Sequence, residues 1–270
     1  MAGIEGMANH EPGRYAIVDT AADGIVTVTI ANAGPLNILG TPAIDDLTRT
    51  LAALGARTDL RVLVLRGSGD KAFIGGADIN EMAGLTRESA ERFITGLRRL
   101  CDAVRHFPVP VIARMAGWSL GGGLEVALAC DIRIASDSAR CGMPEVRVGI
   151  PSVIHAALLP RLIGSARANW LILTGEHIDA AQALAWGLVD RMVPLSGLDA
   201  EVGRVASLLA AMGGNALRQQ KRLLREWEDR PLDQSIAESV AEFGRAFDGG
   251  EPQRYMGEFI RRQREKKAKL

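Results

Sequence analysis

Residues 109–131 read VPVIARMAGWSLGGGLEVALACD, and the order of residue types in that stretch decides how the chain folds. Val109 to Met115 is an apolar, β-branched run of strand length, closed on its N-terminal side by Pro108 and Pro110. Gly117, Gly121, Gly122 and Gly123 follow, and Leu124 to Cys130 then reads as a short, buried, alanine-rich helix. Strand, glycine turn and helix together leave backbone N–H groups free at a helix N-terminus, where they can face an anion. Glu125 stands in the first turn of that helix, inside an otherwise apolar run. Its carboxylate is either a helix-start charge or part of a chemistry.

Working outward, Ile25 to Ile30 alternates in the strand manner and Asn32 to Gly40 is a turn-rich loop. Thr41-Pro42 opens a helix, with Thr41 expected as N-cap and Pro42 at the first helical position. Its apolar face is Ile44, Leu47, Leu51 and Leu54, and Gly55 ends it. Arg61 to Arg66 is a buried strand, Gly67 to Asp70 a turn, and Phe73 to Asp78 a second apolar–glycine stretch. A helix from Thr86 to His106 buries Phe93, Leu97, Leu100 and Val104. Beyond the central stretch come a strand at 132–135, a loop from Gly142 to Pro151, and helices at 153–163 and 166–173. Asp179 and Gln182 form a capping-box pattern for a helix ending near Gly187, and Leu188–Val193 is the last strand-like run. From Asp199 every periodic segment is helical: 199–212, 215–229, 233–247 and 252–266. This predicts a flexible start over 1–13, an α/β core over 14–197 and a helical subdomain over 198–270. The apolar positions Val202, Val205, Leu208 and Leu209, with Leu223, Leu224 and Trp227, exceed what such a core needs for its own closure. They are expected to be buried against the core or a neighbouring subunit.

Thirty-two acidic residues balance 32 basic ones, which argues against a nucleic acid or an anionic membrane as partner. No apolar run approaches the roughly 20 residues that span a bilayer. Cys101, Cys130 and Cys141 form neither a disulfide framework nor a zinc pattern, so a reducing, cytoplasmic setting without a metal is expected.

Three chemistries compete in the central stretch. Gly117-Trp118-Ser119-Leu120-Gly121 matches the G-x-S-x-G of a hydrolase elbow. Such a hydrolase needs a late histidine, and the four here are His10, His106, His155 and His177. Phosphate or dinucleotide binding lacks both G-x-x-x-x-G-K-[ST] and G-x-G-x-x-G. The third uses paired carboxylates, Glu125 and Glu145, each flanked by apolar residues. Desolvation and mutual repulsion push the pKa values of such a pair apart. The glycine turns at 75–77 and 121–123 can each offer an N–H to one oxygen.

The spans KAFIGGADINEM (71–82), AGWSLGGGLEVALACDIRIAS (116–136), MPEVRVGIP (143–151) and LTGEHIDAAQALAWGLVD (173–190) resemble the signature segments of the enoyl-CoA hydratase/isomerase (crotonase) superfamily. The resemblance implies a spiral of ββα units followed by helices used in trimer or dimer-of-trimers assembly. It implies an acyl-CoA ligand, with no cofactor beyond the coenzyme A of the substrate. By position, Ala77 and Gly122 would be the oxyanion-hole donors, and Glu125 and Glu145 the catalytic glutamates, Glu125 serving water and Glu145 the α-carbon. The segment Ala77-Asp78-Ile79-Asn80 would lie along the CoA portion, with Lys71 and Trp118 completing the substrate contacts and Asp78 capping the next helix. The basic run from Arg261 to Lys269 would lie near a CoA phosphate. Retention of both glutamates favours hydration over isomerase, dehalogenase or thioester-hydrolase chemistry on the same fold. One departure stands out. Where hydratases continue past Ile-Pro with small glycines, this chain reads Ser152-Val153-Ile154-His155, which adds bulk after Glu145 and is expected to reshape the acyl pocket.

Overall fold

The computed structural model describes residues 13–267, so the flexible start expected over 1–13 falls, but for Gly13, outside the described residues, as does Lys269. In chain order the strands are β1 (Ala16–Thr20), β2 (Ile25–Ile30), β3 (Val62–Gly67), β4 (Ala72–Ile74), β5 (Val111–Met115), β6 (Trp118–Leu120), β7 (Ile132–Ser136), β8 (Arg140–Gly142), β9 (His177–Asp179) and β10 (Arg191–Val193). The helices are α1 (Thr41–Gly55), α2 (Ile79–Ala83), α3 (Arg87–Arg105), α4 (Gly122–Ala129), α5 (Leu159–Ile163), α6 (Ser165–Thr174), α7 (Ala180–Trp186), α8 (Leu198–Ala210), α9 (Gly214–Asp229), α10 (Leu232–Arg245) and α11 (Glu251–Lys267).

Two sheets share these strands. A six-stranded sheet runs β1-β2-β3-β5-β7-β10, antiparallel only between β1 and β2. A four-stranded sheet runs β4-β6-β8-β9, antiparallel only between β8 and β9. Successive pairs β3–β4, β5–β6 and β7–β8 each place one strand in either sheet before the chain returns through helix, which is the repeated ββα spiral that the resemblance implied. The step from β5 to β6 turns at Gly117, where φ is +60° and a Cβ would overlap the Lys71 carbonyl oxygen. Only glycine fits that corner.

Strands buried on both faces read as continuous apolar runs, and β3 shows why. Leu63 and Leu65 join the large core beneath α1 and α3, whereas Val62 and Val64 face the other way. That second face is covered by Leu198, Val202, Val205 and Ala206 of α8. Val202 and Val205 therefore close the core itself, contrary to the expectation that it needs no such stripe, while Leu208 stays exposed. Burial of three large aliphatic side chains there stabilises the sheet by on the order of 5 kcal/mol.

Caps differ from expectation in two places. Helix α1 begins at Thr41 with Gly40 as N-cap and no side-chain cap, so Pro42 is the second helical residue. The orphan amide is met instead from α2: Glu81 Oε2 accepts from Thr41 N–H at 2.8 Å, and its Oε1 from the Thr41 hydroxyl. At α7 the Asp179 carboxylate accepts from Gln182 N–H at 2.8 Å, which is one half of the expected box. Asp78 caps α2 through Asn80 N–H (2.9 Å) and Glu81 N–H (3.3 Å), as expected.

Candidate active site

The glycine turn of the central stretch contains a strand, β6, which the reading of strand, turn and helix passed over. Helix α4 begins at Gly122, two residues earlier than expected, and every one of its residues is buried. It can start there because Gly121 takes φ +51° and donates its N–H to Gly142 O at 2.9 Å. Gly123 packs directly on the end of β4, where a Cβ would lie 2.7 Å from Ile74 Cβ and overlap the Ile74 carbonyl. Beside this contact a cavity of about 190 Å³ opens, lined by Gly75 to Ala77, Ile79, Met82, Leu120 to Gly122, Pro144, Glu145, Arg147, Val148 and Ile150.

Ala77 and Gly122 are both among the lining residues. Leu39 and Ala77 form a parallel bridge through Leu39 N–H to Gly76 O (2.9 Å) and Asp78 N–H to Leu39 O (3.0 Å). The amide of Ala77 itself therefore points away from Leu39. Gly122 is the first residue of α4, so its N–H has no acceptor within the helix.

Glu145 lines the cavity and is half-buried, whereas Glu125 is not among the lining residues. Glu125 is 3% exposed, and its Oε1 accepts from Ala156 N–H at 2.9 Å. Burial, aided by the charge of Glu145 and opposed by the Ala156 amide, pushes its pKa from 4.5 up to about 8. Glu145 is raised too, again chiefly by burial, with a hydrogen bond from the Ser152 hydroxyl opposing it. Its Oε1 lies against Gly121, where a Cβ would be only 2.8 Å away.

The sign of the Glu125 shift carries a stability prediction. Between the ordinary value of 4.5 and about 8 the folded chain binds this proton more tightly than the unfolded chain, so stability falls as pH rises through that window. The gap of about 3.5 corresponds to about 5 kcal/mol at most. Glu125→Gln is expected to match the wild type near pH 4 and to exceed it in stability at pH 8. Urea denaturation across that range checks this; a wild-type stability that rises toward pH 8 would contradict it.

The expected substrate contacts divide. Ala77, Ile79 and Gly122 line the cavity, whereas Lys71, Asp78, Asn80 and Trp118 do not. Lys71 and Trp118 meet at the far ends of β4 and β6, where Trp118 N–H donates to Lys71 O at 3.0 Å. The Trp118 ring packs edge-on against His177 at 5.2 Å. Asp78 is occupied with its cap and Asn80 lies exposed on α2. Sequence reasoning missed Met82, Val148 and Ile150 in the lining, and the Ser152 and Ala156 groups that hold the carboxyls. An apolar side chain or a backbone amide carries no mark of such a role.

Ser119 lies in β6, fully buried, and its hydroxyl has no hydrogen-bond partner among the described residues. No base activates it, which removes the hydrolase elbow. Ser119→Ala is expected to retain most activity and to leave stability unchanged or raised by about 1 kcal/mol, since an unmet buried hydroxyl is costly. A covalent adduct on Ser119 with serine-directed reagents, accompanied by inactivation, would revive the elbow.

The chain is thus a parallel-sheet spiral with one buried and one half-buried carboxyl at a glycine-lined cavity. The family model for enoyl-CoA hydratase/isomerase matches residues 20–266, and the chain belongs to that family. It is 31% identical to the short-chain-enoyl-CoA hydratase of Clostridium acetobutylicum, over 89% of this chain and 92% of that one. It is also 31% identical to the crotonyl-CoA hydratase of Syntrophomonas wolfei, over 85% and 88%. Among solved structures it resembles an enoyl-CoA hydratase from Bacillus anthracis (TM-score 0.85, 32% identity, covering 91% and 96%). It likewise resembles one from Mycobacterium smegmatis (TM-score 0.89, 26% identity, covering 93% and 97%).

Proposed function

We propose that the protein adds water across the 2,3 double bond of a 2-enoyl-CoA thioester to give the 3-hydroxyacyl-CoA. The observation that carries this is Glu145 lining one cavity with Ala77 and Gly122, together with the buried carboxyl of Glu125, which feels the charge of Glu145. Attack of water at the β-carbon moves negative charge onto the thioester oxygen. Two preorganised N–H groups bind that oxygen more tightly in the transition state than in the ground state, which accelerates the step. The ionised member of the carboxyl pair takes a proton from water as its oxygen bonds to the β-carbon, and the protonated member delivers one to the α-carbon. The reaction needs no cofactor beyond the CoA that the substrate carries.

Assembly belongs to the same reading. Ile236, Val240 and Phe243 form one stripe of α10 and are 59%, 76% and 68% exposed, and Phe259 and Ile260 are exposed on α11. Stripes of this size are expected to close against other copies, as a trimer or a dimer of trimers, with the basic end of α11 near a CoA phosphate. Sedimentation of the full chain should give a trimer or hexamer; a fully active monomer would contradict it. Three free, buried cysteines fit a reducing cytoplasm, and no helix among the described residues is long and apolar enough to cross a membrane.

The test of activity is a product assay with crotonyl-CoA and branched analogues. Accumulation of 3-hydroxyacyl-CoA is the expected result. Free CoA, a moved double bond or released halide from a halogenated analogue would each assign the fold to a different reaction.

A further inference from the structure

Both carboxyls of the site are held by one short stretch of chain. Ser152 Oγ donates to Glu145 Oε2 at 2.9 Å, and four residues later Ala156 N–H donates to Glu125 Oε1 at 2.9 Å. Between them Ile154 takes φ +38°, a region that β-branched residues rarely occupy. Such backbone persists only where its surroundings over-determine it. Here they do. The 3-10 turn Ile154–Leu158 packs on α3 and α4, Ala156 N–H also reaches Val153 O at 3.0 Å, and the buried His155 ring sits 3.5 Å from Asp102 Oδ1 of α3. The same strained turn thus sets where the Ser152 hydroxyl lies.

We propose that Ser152 is a positioning residue for Glu145: its hydroxyl, fixed by the turn at Ile154, holds the Glu145 carboxylate in one orientation opposite Glu125. One oxygen is held by Ser152, while the other lies toward Gly121, where the missing Cβ leaves it room. A hydrogen bond to a carboxylate also favours its charged form. At Glu145 its own backbone amide and the Ser152 hydroxyl act in that direction, and Ser152 is the side chain that does so. Glu125 of α4 is itself a carboxyl and supplies no positive charge, and Arg147, on the same 3-10 turn as Glu145, directs its guanidinium to Thr174 O at 3.4 Å. Asp102 and His155 meet each other on the α3 side, beside the stretch that holds Glu125.

The inference rests on the hydratase reading for its kinetic effect, but not for its titration. In the full-length protein with ¹³C-carboxyl glutamate, the Glu145 resonance, assigned by its loss in Glu145→Gln, is followed against pH. Ser152→Ala should raise the Glu145 midpoint by about one pH unit and lower kcat about 10-fold with KM little changed, as expected for one hydrogen bond to a charged group. Ser152→Thr, which keeps the hydroxyl, should restore both. A Glu145 midpoint that stays in place in Ser152→Ala, or Ala and Thr variants that behave alike, would overturn the proposal. A midpoint that moves in Ser152→Ala, where the wild-type protein hydrates no enoyl-CoA, would leave Ser152 in its role and remove the hydratase reading instead.

Discussion

Glu125→Gln and Glu145→Gln should each lower kcat by about 10²–10⁴-fold, the range of a general acid–base group. Glutamine preserves the shape and an acceptor oxygen, so Ala156 N–H can still reach position 125 and the Ser152 hydroxyl position 145. What it removes is the capacity to hold and pass a proton. Because both carboxyls act on one water and one carbon, the double variant should be scarcely slower than the poorer single one. KM should change little, since neither group supplies the main hold on the CoA. Steady-state kinetics on all three variants read this out. Near-normal turnover by either single variant would take that residue out of the mechanism.

Gly123→Ala should destabilise the protein by about 3 kcal/mol or more, the upper end of overpacking in a closed core. The added carbon meets backbone rather than the tip of a flexible side chain, because Ile74 O and Ile74 Cβ both stand in its way. Relief requires α4 to move off β4. Those two elements lead into Gly122 on one side of the cavity and Gly75 to Ala77 on the other, so the displacement spreads the two amides apart. Loss of even one oxyanion donor costs about 3–4 kcal/mol of transition-state stabilisation. Activity should therefore fall by more than the folded fraction alone explains. By contrast, Gly122→Ala meets only the Leu97 Cδ2 methyl at 2.7 Å, which can turn aside, and should be milder. Chemical denaturation with parallel kinetics on the two variants separates these outcomes, and equal tolerance at both positions would contradict the packing account.

The elements that were legible in the sequence are those whose burial leaves a periodic or continuous apolar mark. Strands β3, β5 and β7 and the inner faces of α1 and α3 are of this kind. The four strands of the smaller sheet were not legible, because three residues such as Trp118–Leu120 or His177–Asp179 are too short to show a period. Their pairing is set by the corners of the spiral. Thr41 looked like an N-cap because its residue type favours that place, yet the acceptor that serves it comes from Glu81, 40 residues away. Nothing local signals a cap from such a distance. In the site, Glu125 and Glu145 stood out as carboxylates among apolar neighbours, and glycine clusters marked the amide turns. Ser152 and Ala156 did not stand out, since their roles depend on a left-handed turn at an isoleucine. No property of that residue type predicts such a turn.

Isotope tracing tests the central claim most directly. With crotonyl-CoA in H₂¹⁸O, and separately in D₂O, the account predicts that each new 3-hydroxybutyryl-CoA carries one ¹⁸O on the β-carbon and one deuterium on the α-carbon. The thioester should stay intact, and Glu145→Gln should slow both labels together. Incorporation of ¹⁸O into a free carboxylate with release of CoA, or of deuterium without ¹⁸O, would contradict it.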